Sequence, residues 1–585
     1  MSEQAKNVQT LLEERFRRAV AGACGDQYAD TDPMVRRSDR ADYQADLAMG
    51  LAKSLRRSPR QVAEAIVAAA DFRDICERVE IAGPGFINLT LTDGLLERQL
   101  SAMAVDERLG VAMPATRDRV ILDYSSPNVA KDMHVGHIRS TIIGDALARL
   151  LGFVGHEIVR QNHIGDWGTP FGMLIEHLLD VGGGKANADA SVGELNAFYQ
   201  AARVKFDSDP AFAGRARHRV VLLQAGDDRT LELWRHLVDV SARYFSAIYN
   251  RLGVTLRETD IRGESAYNPV LAETAAELER DGLAKVSDGA LCVFVPGFEN
   301  REGEPLPLIV RKKDGGFGYA ATDLAALRYR TQTLGGTRLL YVVGAPQQQH
   351  LSMVFAVGRL AGWLVAPARA EHVAFGGVLG ADKKMLKTRS GESVRLSALL
   401  DEAVERAEAE LARREPDADA AARRVLARQI GFGAIKYADL SSDRIKDYVF
   451  DWDRMLAVEG RTGPYLQYAH ARIQSIFRRA AEAGVEPRVA DGVVRIGEPQ
   501  ERALVLEILG FGAAVTESAE QLRPHRLCGY LYDLATAFTA FFESCSVLKA
   551  PDGATRESRL ALCVVTARVL ARGLDLLGIE APERM

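Results

Sequence analysis

The stretch RVILDYSSPNVAKDMHVGHIRSTIIGDALARLLGFVGHEIVRQNHIGD, residues 119 to 166, decides the fold. Residues 119 to 124 form a short apolar run rich in β-branched side chains. We read it as a buried parallel strand that stops where Ser125, Ser126 and Pro127 break the pattern. After a loop, Ile138, Ile142, Ala146, Leu147 and Leu150 recur at helical spacing, which predicts a helix over 137–151 with Gly152 as its stop. A second strand over 157–162 completes a βαβ unit, a connection that is right-handed almost without exception. The loop between strand and helix therefore lies at the carboxyl edge of a parallel sheet, where open α/β folds bind ligands.

That loop carries His134, Gly136 and His137 just before the helix. Free N–H groups and the positive end of the helix dipole favour anions there, and two imidazoles add donors aimed at a phosphate. Gly136 lets a flat base or a sugar approach the backbone. A metal pair at i, i+3 and two solvated loop histidines are the alternatives, but no Cys or carboxylate stands at ligand spacing beside them.

With 585 residues the chain has room for three or four domains. Hydrophobic content of 47% and charged content of 26% are those of an ordinary globular protein, which excludes bulk disorder. Neither a signal-peptide pattern nor an uncharged apolar run of membrane-spanning length is found. The nearest, residues 527 to 548, is interrupted by Asp533 and Glu543. Six cysteines lie scattered without a CxxC pair, so no zinc knuckle or disulfide framework is indicated, and a reducing cytoplasm is the expected home. A net charge of −5 argues against indiscriminate coating of nucleic acid; an RNA partner would be met by local basic patches.

Residues 1 to 110 read as a small α+β domain. Val8, Leu11, Leu12, Phe16, Ala19 and Val20 trace one helical face, a second helix is expected over 42–55, and a third begins near Pro59. Alternating runs at 77–81 and 86–91 flank Gly83-Pro84-Gly85 as a strand pair. Arg56, Arg57 and Arg60 are either an RNA contact or a solvated face. From 111 to 397 runs the nucleotide fold, interrupted at about 181–260 by a glycine-rich loop and charged helices that read as an insertion. Strand character returns at 291–296, 307–311 and 339–343. In residues 377 to 396, Lys383, Lys384, Lys387 and Arg389 crowd a loop containing Gly380 and Gly391. Such a loop suits closure over a triphosphate, because its charge meets oxygens that become more negative as pyrophosphate leaves. A helical connector over 398–458 and an all-α bundle over 459–585, with a loop near 484–491, complete the chain.

An HxGH loop and a later K-x-x-K-[ST] loop, flanking a split nucleotide fold, resemble the class I aminoacyl-tRNA synthetases. SSPNVAKDMHVGHIRSTIIGD (125–145), NHIGDWGTPFG (162–172), FGYAATDLAAL (317–327), LKTRSGESVRL (386–396), TGPYLQYAHARI (462–473) and the terminal APERM are similar to patterns of the arginyl-tRNA synthetase family. The resemblance implies a Rossmann-like α/β catalytic domain of the HIGH/KMSKS class between an N-terminal α+β tRNA-elbow module and an all-α anticodon-binding domain. It implies attachment of L-arginine to tRNA(Arg) through an arginyl-adenylate, with ATP as a substrate, Mg2+ accompanying the nucleotide and no structural metal. Adenylate formation is implied to depend on bound tRNA, in a cytoplasmic monomer with no membrane partner.

Residue by residue, His134 and His137 match the HIGH signature, with Val135 in place of Ile; Lys384 and Lys387 match the KMSKS lysines, with Leu386 and Thr388 replacing the two serines. His134, Gly136, His137, Lys384, Lys387 and Gln347 are implied to hold ATP, and Lys387 is the first choice for the phosphate contact. Ser126 and Asn128 are assigned to the substrate amino group, Tyr319 and Asp323 to the arginine side chain, with Gln347 and Glu264 as further contacts. A guanidinium is planar, always charged and has five donors, so a selective pocket needs carboxylates in fork geometry. Such a pocket mismatches lysine by on the order of 10⁴ to 10⁵, and no editing domain is required. Tyr465, Tyr468, Arg472, Arg478 and Arg479 suit stacking on splayed bases and phosphate contact, though the two tyrosines fit a core equally well. Another HxGH adenylate-forming or nucleotidylyl-transferring enzyme would leave the helical tail unused. A non-catalytic tRNA-binding relative would be expected to lose the signature residues, and all four are present.

Overall fold

The computed structural model describes residues 7 to 182, 192 to 387, 394 to 489 and 493 to 585. Gly183, Gly184 and Ser191 in the glycine-rich stretch, Thr388, Arg389 and Gly391 in the lysine loop, and Asp491 in the bundle loop lie outside the described residues. Contacts divide the chain into two compact units: Ala115–Leu456 with Leu577–Ile579, and Met1–Pro114 with Ala457–Leu576 and Glu580–Met585.

The larger unit is built on four parallel strands in the order Arg369–His372, Arg338–Tyr341, Arg119–Asp123, Glu157–Gln161. The strands are short and apolar because helices cover the sheet; Val120, Ile121, Leu122, Leu339 and Leu340 are all buried. From Arg119–Asp123 the chain moves to one side through helix Val135–Val154, and it later returns on the other side with Arg338–Tyr341. The sheet's switch point, between the carboxyl ends of those two strands, is where the fold opens a crevice. The helix begins at Val135 because His134 caps it, two residues before the periodicity predicts. It also passes Gly152, the expected stop, and ends at Gly155, whose φ of 125° breaks the helical path.

The strands expected near 291 and 307 do form, but as an antiparallel meander apart from the parallel sheet: Ala284–Ser287, Ala290–Glu299 and Pro305–Arg311. Leu291, Val293, Leu308 and Val310 share a core with Ala321 and Leu324 of helix Tyr319–Arg328, which fixes that helix beside the crevice. Within the 181–260 insertion, helices Val192–Ser208 and Pro210–Gln224 precede the 25-residue helix Asp228–Leu252, which buries Ser241, Tyr244 and Tyr249. The connector contributes helices Leu396–Arg414 and Ala420–Leu440.

In the smaller unit, helix Val8–Cys24 buries the six apolar residues of its predicted face. The helix expected over 42–55 starts only at Leu47, because Tyr43–Ala45 is a strand paired with Phe86–Leu91 and buried along its length. Among the described residues, five helices make the bundle: Gly463–Glu482, Pro499–Leu509, Phe511–Glu520, Pro524–Ser544 and Gly553–Leu576. Arg502 joins bundle and N-terminal segment. Its guanidinium donates to both carboxylate oxygens of Asp42, at 2.7 and 2.8 Å, to Asp93 and to the Leu91 carbonyl. Such a fork-to-fork pair fixes geometry as well as charge.

Candidate active site

After Asp123 the backbone turns sharply, with Ser125 and Ser126 at φ of 71° and 47°, a left-handed conformation that costs a non-glycine residue energy and persists only when its surroundings impose it. The imposing contacts are present. The Ser125 amide donates to Ser140 Oγ (2.9 Å), Ser125 Oγ meets the Tyr249 hydroxyl (2.7 Å), and the Ser126 amide donates to Asn162 Oδ1 (3.0 Å). The next turn leans on the insertion helix: the Ala130 amide donates to Ser241 Oγ and the Met133 amide to the Tyr244 hydroxyl, both at 3.0 Å. The last helix of the insertion thus serves as the wall against which the signature loop is shaped. Sequence reasoning missed Ser241, Tyr244 and Tyr249, whose only signal was their i, i+3, i+8 spacing on one helical face.

Asn128 forms a parallel bridge with Gly165, and a Cβ on Gly165 would stand 2.2 Å from Asn128 Oδ1, so only glycine lets the side chain lie across the backbone there. His134 and His137 share the mouth of the helix, ring centroids 4.0 Å apart. His134 Nδ1 accepts the Gly136 amide (3.0 Å) and His137 Nδ1 accepts the His134 amide (3.1 Å). Burial pushes both imidazoles down, His137 to about 4, with Lys131 and, for His137, the neighbouring ring adding to the effect. Both are neutral at pH 7. With Nδ1 accepting, each carries its proton on Nε2 and offers a neutral donor beside the positive end of the helix. Gly136 is exposed between them.

The lysine loop leaves strand Val378–Leu379 and turns at Gly380, whose amide donates to the Lys384 carbonyl (2.8 Å). Lys384 and Lys387 are exposed. Downstream of the loop the chain returns to the histidines. The Val135 amide donates to the Val394 carbonyl and the Leu396 amide to the Met133 carbonyl, both at 2.9 Å, while Arg395 pairs with Asp132 (3.3 Å). The histidine segment and the chain just downstream of the lysine loop, about 260 residues apart in sequence, are thus joined through backbone bonds.

Carboxylates gather nearby. Asp323 Oδ2 stands 2.6 Å from His350 Nε2, and the Tyr319 ring, 68% exposed, meets the same imidazole edge-on with centroids 4.8 Å apart. Tyr319 and Asp323 therefore share a helical face, as their spacing predicts, and His350 is the partner that sequence reasoning did not find. Glu264 is pushed up to about 7, chiefly by burial and then by the charges of Asp166 and Asp323. Asp166, also raised by burial, accepts the amide and hydroxyl of Ser265 at 2.8 and 2.6 Å. Asp123, likewise missed, ends its strand with Ser126 Oγ donating to one oxygen (2.9 Å) and Arg330 paired at the other (2.8 Å). Arg330 reaches it from a π-helical turn, Tyr329–Thr333, that follows helix Tyr319–Arg328. Gln347 is exposed in the turn Ala345–Gln347, past the carboxyl end of strand Arg338–Tyr341. Among the described residues, no group of three or more His, Cys, Asp or Glu could hold a metal ion.

In the bundle, Arg472 lies over the rings of Tyr468 and Phe542 (4.8 and 5.2 Å), and Arg461 over Tyr532 (5.0 Å). Tyr468 is 36% exposed, and Tyr465 is half-buried with its ring 5.6 Å from Tyr532. Arg479 is exposed, whereas Arg478 donates to the Glu583 carbonyl (3.0 Å) and so helps hold the chain's end. No helix among the described residues is long and apolar enough to cross a membrane.

Comparison with known proteins gives one consistent result. Residues 99–452 match the family described as "tRNA synthetases class I (R), catalytic domain", residues 466–585 the "DALR anticodon binding domain", and residues 10–91 the "Arginyl tRNA synthetase N terminal domain". The arginine–tRNA ligase of Thermobifida fusca is 57% identical over 99% of both chains, and that of Cellvibrio japonicus 47% identical over 99% of this chain and all of its own. Among solved structures, the arginyl-tRNA synthetase of Plasmodium falciparum superposes with a TM-score of 0.84 at 29% identity over 99% of both chains. That of Thermus thermophilus gives 0.82 at 27% over 99% of this chain and all of its own. The class I catalytic domain around the switch point, the N-terminal domain and the helical DALR domain are together one known assembly, and the chain belongs to the arginyl-tRNA synthetase family.

Proposed function

We infer that the protein attaches L-arginine to tRNA(Arg) in two steps, activating arginine with ATP and passing it to the terminal ribose. The observation that supports this reading is the pair of backbone bonds joining 133–135 to 394–396, downstream of the lysine loop, because a site that uses the histidines and the loop lysines on one nucleotide needs the two segments side by side. In the first step the arginine carboxylate attacks the α-phosphate and pyrophosphate leaves. His134 and His137 donate through Nε2 to phosphate oxygens at the helix mouth, and Gly136 leaves room for the nucleoside. Lys384 and Lys387 close over the triphosphate and meet the charge that grows on the leaving group.

Asp323 and Glu264 grip the guanidinium, with Tyr319 against its face, while Ser126 and Asn128 hold the amino group and Gln347 contacts the adenosine or amino-acid side. The cluster of ionisable carboxyls, one of them raised to about 7, supports a pocket that awaits a cation. In the second step the 2′-hydroxyl of the tRNA's terminal ribose attacks the acyl carbon and AMP leaves. No side chain bonds covalently to substrate, so positioning and charge carry the rate. Magnesium would accompany the nucleotide and neutralise part of its phosphate charge.

Tyr465, Tyr468, Arg472, Arg478 and Arg479 present stacking faces and charge to the anticodon loop, and residues 1 to 110 receive the tRNA elbow. The enzyme works as a cytoplasmic monomer; six free cysteines, five of them buried, fit a reducing compartment. Arginine-dependent ATP–pyrophosphate exchange in the presence of tRNA tests the reading. His134→Ala lowers exchange by about 10² to 10³ with tRNA affinity unchanged, and a variant with full exchange would remove the assignment.

A further inference from the structure

Among the charges on the signature helix that the chemistry above does not use, Arg139 is the one that reaches the base of the lysine loop. Arg139, two residues beyond His137, is 1% exposed and points away from the helix mouth into the connector. Its Nε lies 3.2 Å from Asp439 Oδ2, a carboxylate that is itself 1% exposed, in the last turn of helix Ala420–Leu440. Its Nη1 donates to the Lys446 carbonyl (3.0 Å), and its guanidinium lies over the rings of Tyr448 and Phe375 at 5.2 and 5.9 Å. A buried ion pair is a poor source of stability, because desolvation takes back most of the Coulomb gain, and an apolar pair of equal volume would serve the core as well. What such a pair supplies is a fixed direction.

The direction leads to the lysine loop. The strap 443–450 that Arg139 holds through Lys446 is bonded along its length to 374–379, the segment that launches the loop. The Gly376 amide donates to the Arg444 carbonyl (2.9 Å), the Gly377 amide to Asp447 Oδ1 (2.5 Å), the Tyr448 amide to the Gly377 carbonyl (3.2 Å) and the Phe450 amide to the Leu379 carbonyl (2.8 Å). Arg444 returns a bond to the Ala374 carbonyl (2.6 Å). The fit leaves no slack, since a Cβ on Gly376 would stand 2.6 Å from Asp447 Oδ1 and 2.7 Å from the Lys446 carbonyl carbon. One residue of the signature helix therefore sets where the lysine loop begins, while Asp132 and Arg395 fix where it ends.

We propose that Arg139 is a positioning residue for adenylate formation: through Asp439 and the strap 443–450 it ties the last turn of the connector helix to the base of the lysine loop. A shift of the connector helix then reaches Lys384 and Lys387 through Arg139 rather than through the sheet. The proposal rests on the role given above to the two lysines, and it concerns how they are held rather than what they touch.

The test is a set of near-isosteric changes, Asp439→Asn, Arg139→Gln and Tyr448→Phe, assayed by tRNA-dependent ATP–pyrophosphate exchange on the full-length enzyme. The expected result is a fall in kcat of about 10- to 100-fold for the first two, the scale of a misplacement near 1 Å, with the KM for arginine within twofold of the parent. Each is also combined with Lys384→Ala. If Arg139 acts through the loop, the paired losses fall well short of the product of the single losses. Multiplicative losses, an unchanged kcat, or a rise in the KM for arginine matching the fall in kcat would overturn the proposal. Should Arg139→Gln or Asp439→Asn fail to fold, Tyr448→Phe, which removes one oxygen, decides: a lowered kcat that is not multiplicative with Lys384→Ala supports the coupling, and parental kcat rejects it. Failure of the parent enzyme to activate arginine at all would instead strike at the proposed function.

Discussion

Glu264 gives the reading its sharpest pH signature. Burial, with Asp166 and Asp323 beside it, raises its carboxyl from 4.5 to about 7. A guanidinium entering the pocket favours the ionised form, so arginine binding and proton release are linked. At pH 6 about one molecule in eleven carries the charge, and at pH 8 about ten in eleven, so arginine should bind about tenfold more tightly at pH 8, a change of about 1.4 kcal/mol. His137, pushed down to about 4 by burial, stays neutral over this range, and burial also pushes His134 below its ordinary value. Asp166, itself raised by burial, Asp323 and the His350 that faces it also border the pocket, and Glu264→Gln separates the contribution of Glu264 from theirs. Isothermal titration of arginine at pH 6, 7 and 8, in buffers of differing ionisation enthalpy, should detect close to one proton released per arginine at pH 6, and in Glu264→Gln none from this site. An affinity flat in pH, or the same slope in the variant, would refute the assignment. Stability supplies a second sign. A carboxyl whose folded value lies above its unfolded one costs nothing below pH 4.5 and destabilises increasingly as pH rises through 7. Glu264→Gln should therefore raise Tm at pH 8, by about 1 to 3 kcal/mol of stability, and leave it unchanged at pH 4.5.

Lys387→Ala should reduce kcat for arginine activation by about 10² to 10³ while tRNA affinity, measured by filter binding, stays within twofold; equal loss of both would make the loop a tRNA contact instead. Asp323→Ala should raise the KM for arginine far more than that for ATP, and matched increases would point to a collapsed site. Tyr468→Ala should weaken tRNA binding by about 1 to 3 kcal/mol without altering the KM for ATP, and unchanged tRNA affinity would leave that ring a surface residue. Arg502→Ala removes both bonds to Asp42, and a loss of roughly 1 to 3 kcal/mol in thermal unfolding is expected; an unchanged Tm would mean the clamp is solvated.

The signature helix and its flanking strands were legible because their apolar spacing is that of a buried βαβ unit, and periodicity reads such units well. The first helix was legible for the same reason, each of its six apolar residues facing the core. Tyr43–Ala45 was not, because a three-residue strand buried on both faces next to a true helix carries no alternation to read. In the site, residue types with distinctive chemistry could be read: paired imidazoles, loop lysines, a carboxylate one helical turn from a tyrosine. His350, Asp123 and the Arg139–Asp439 pair could not, since their meaning lies in partners 27, 207 and 300 residues away. Tyr249 and Ser241 were hidden differently. They belong to a helix that reads as an insertion, and only the strained turn at Ser125 and Ser126 reveals what that helix supports.

ATP–pyrophosphate exchange, run with each of the twenty amino acids in turn and with or without unfractionated tRNA, bears on the central claim most directly. Exchange with arginine alone, and only when tRNA is present, is the predicted result. Exchange driven by another amino acid, or none with arginine under either condition, would contradict it.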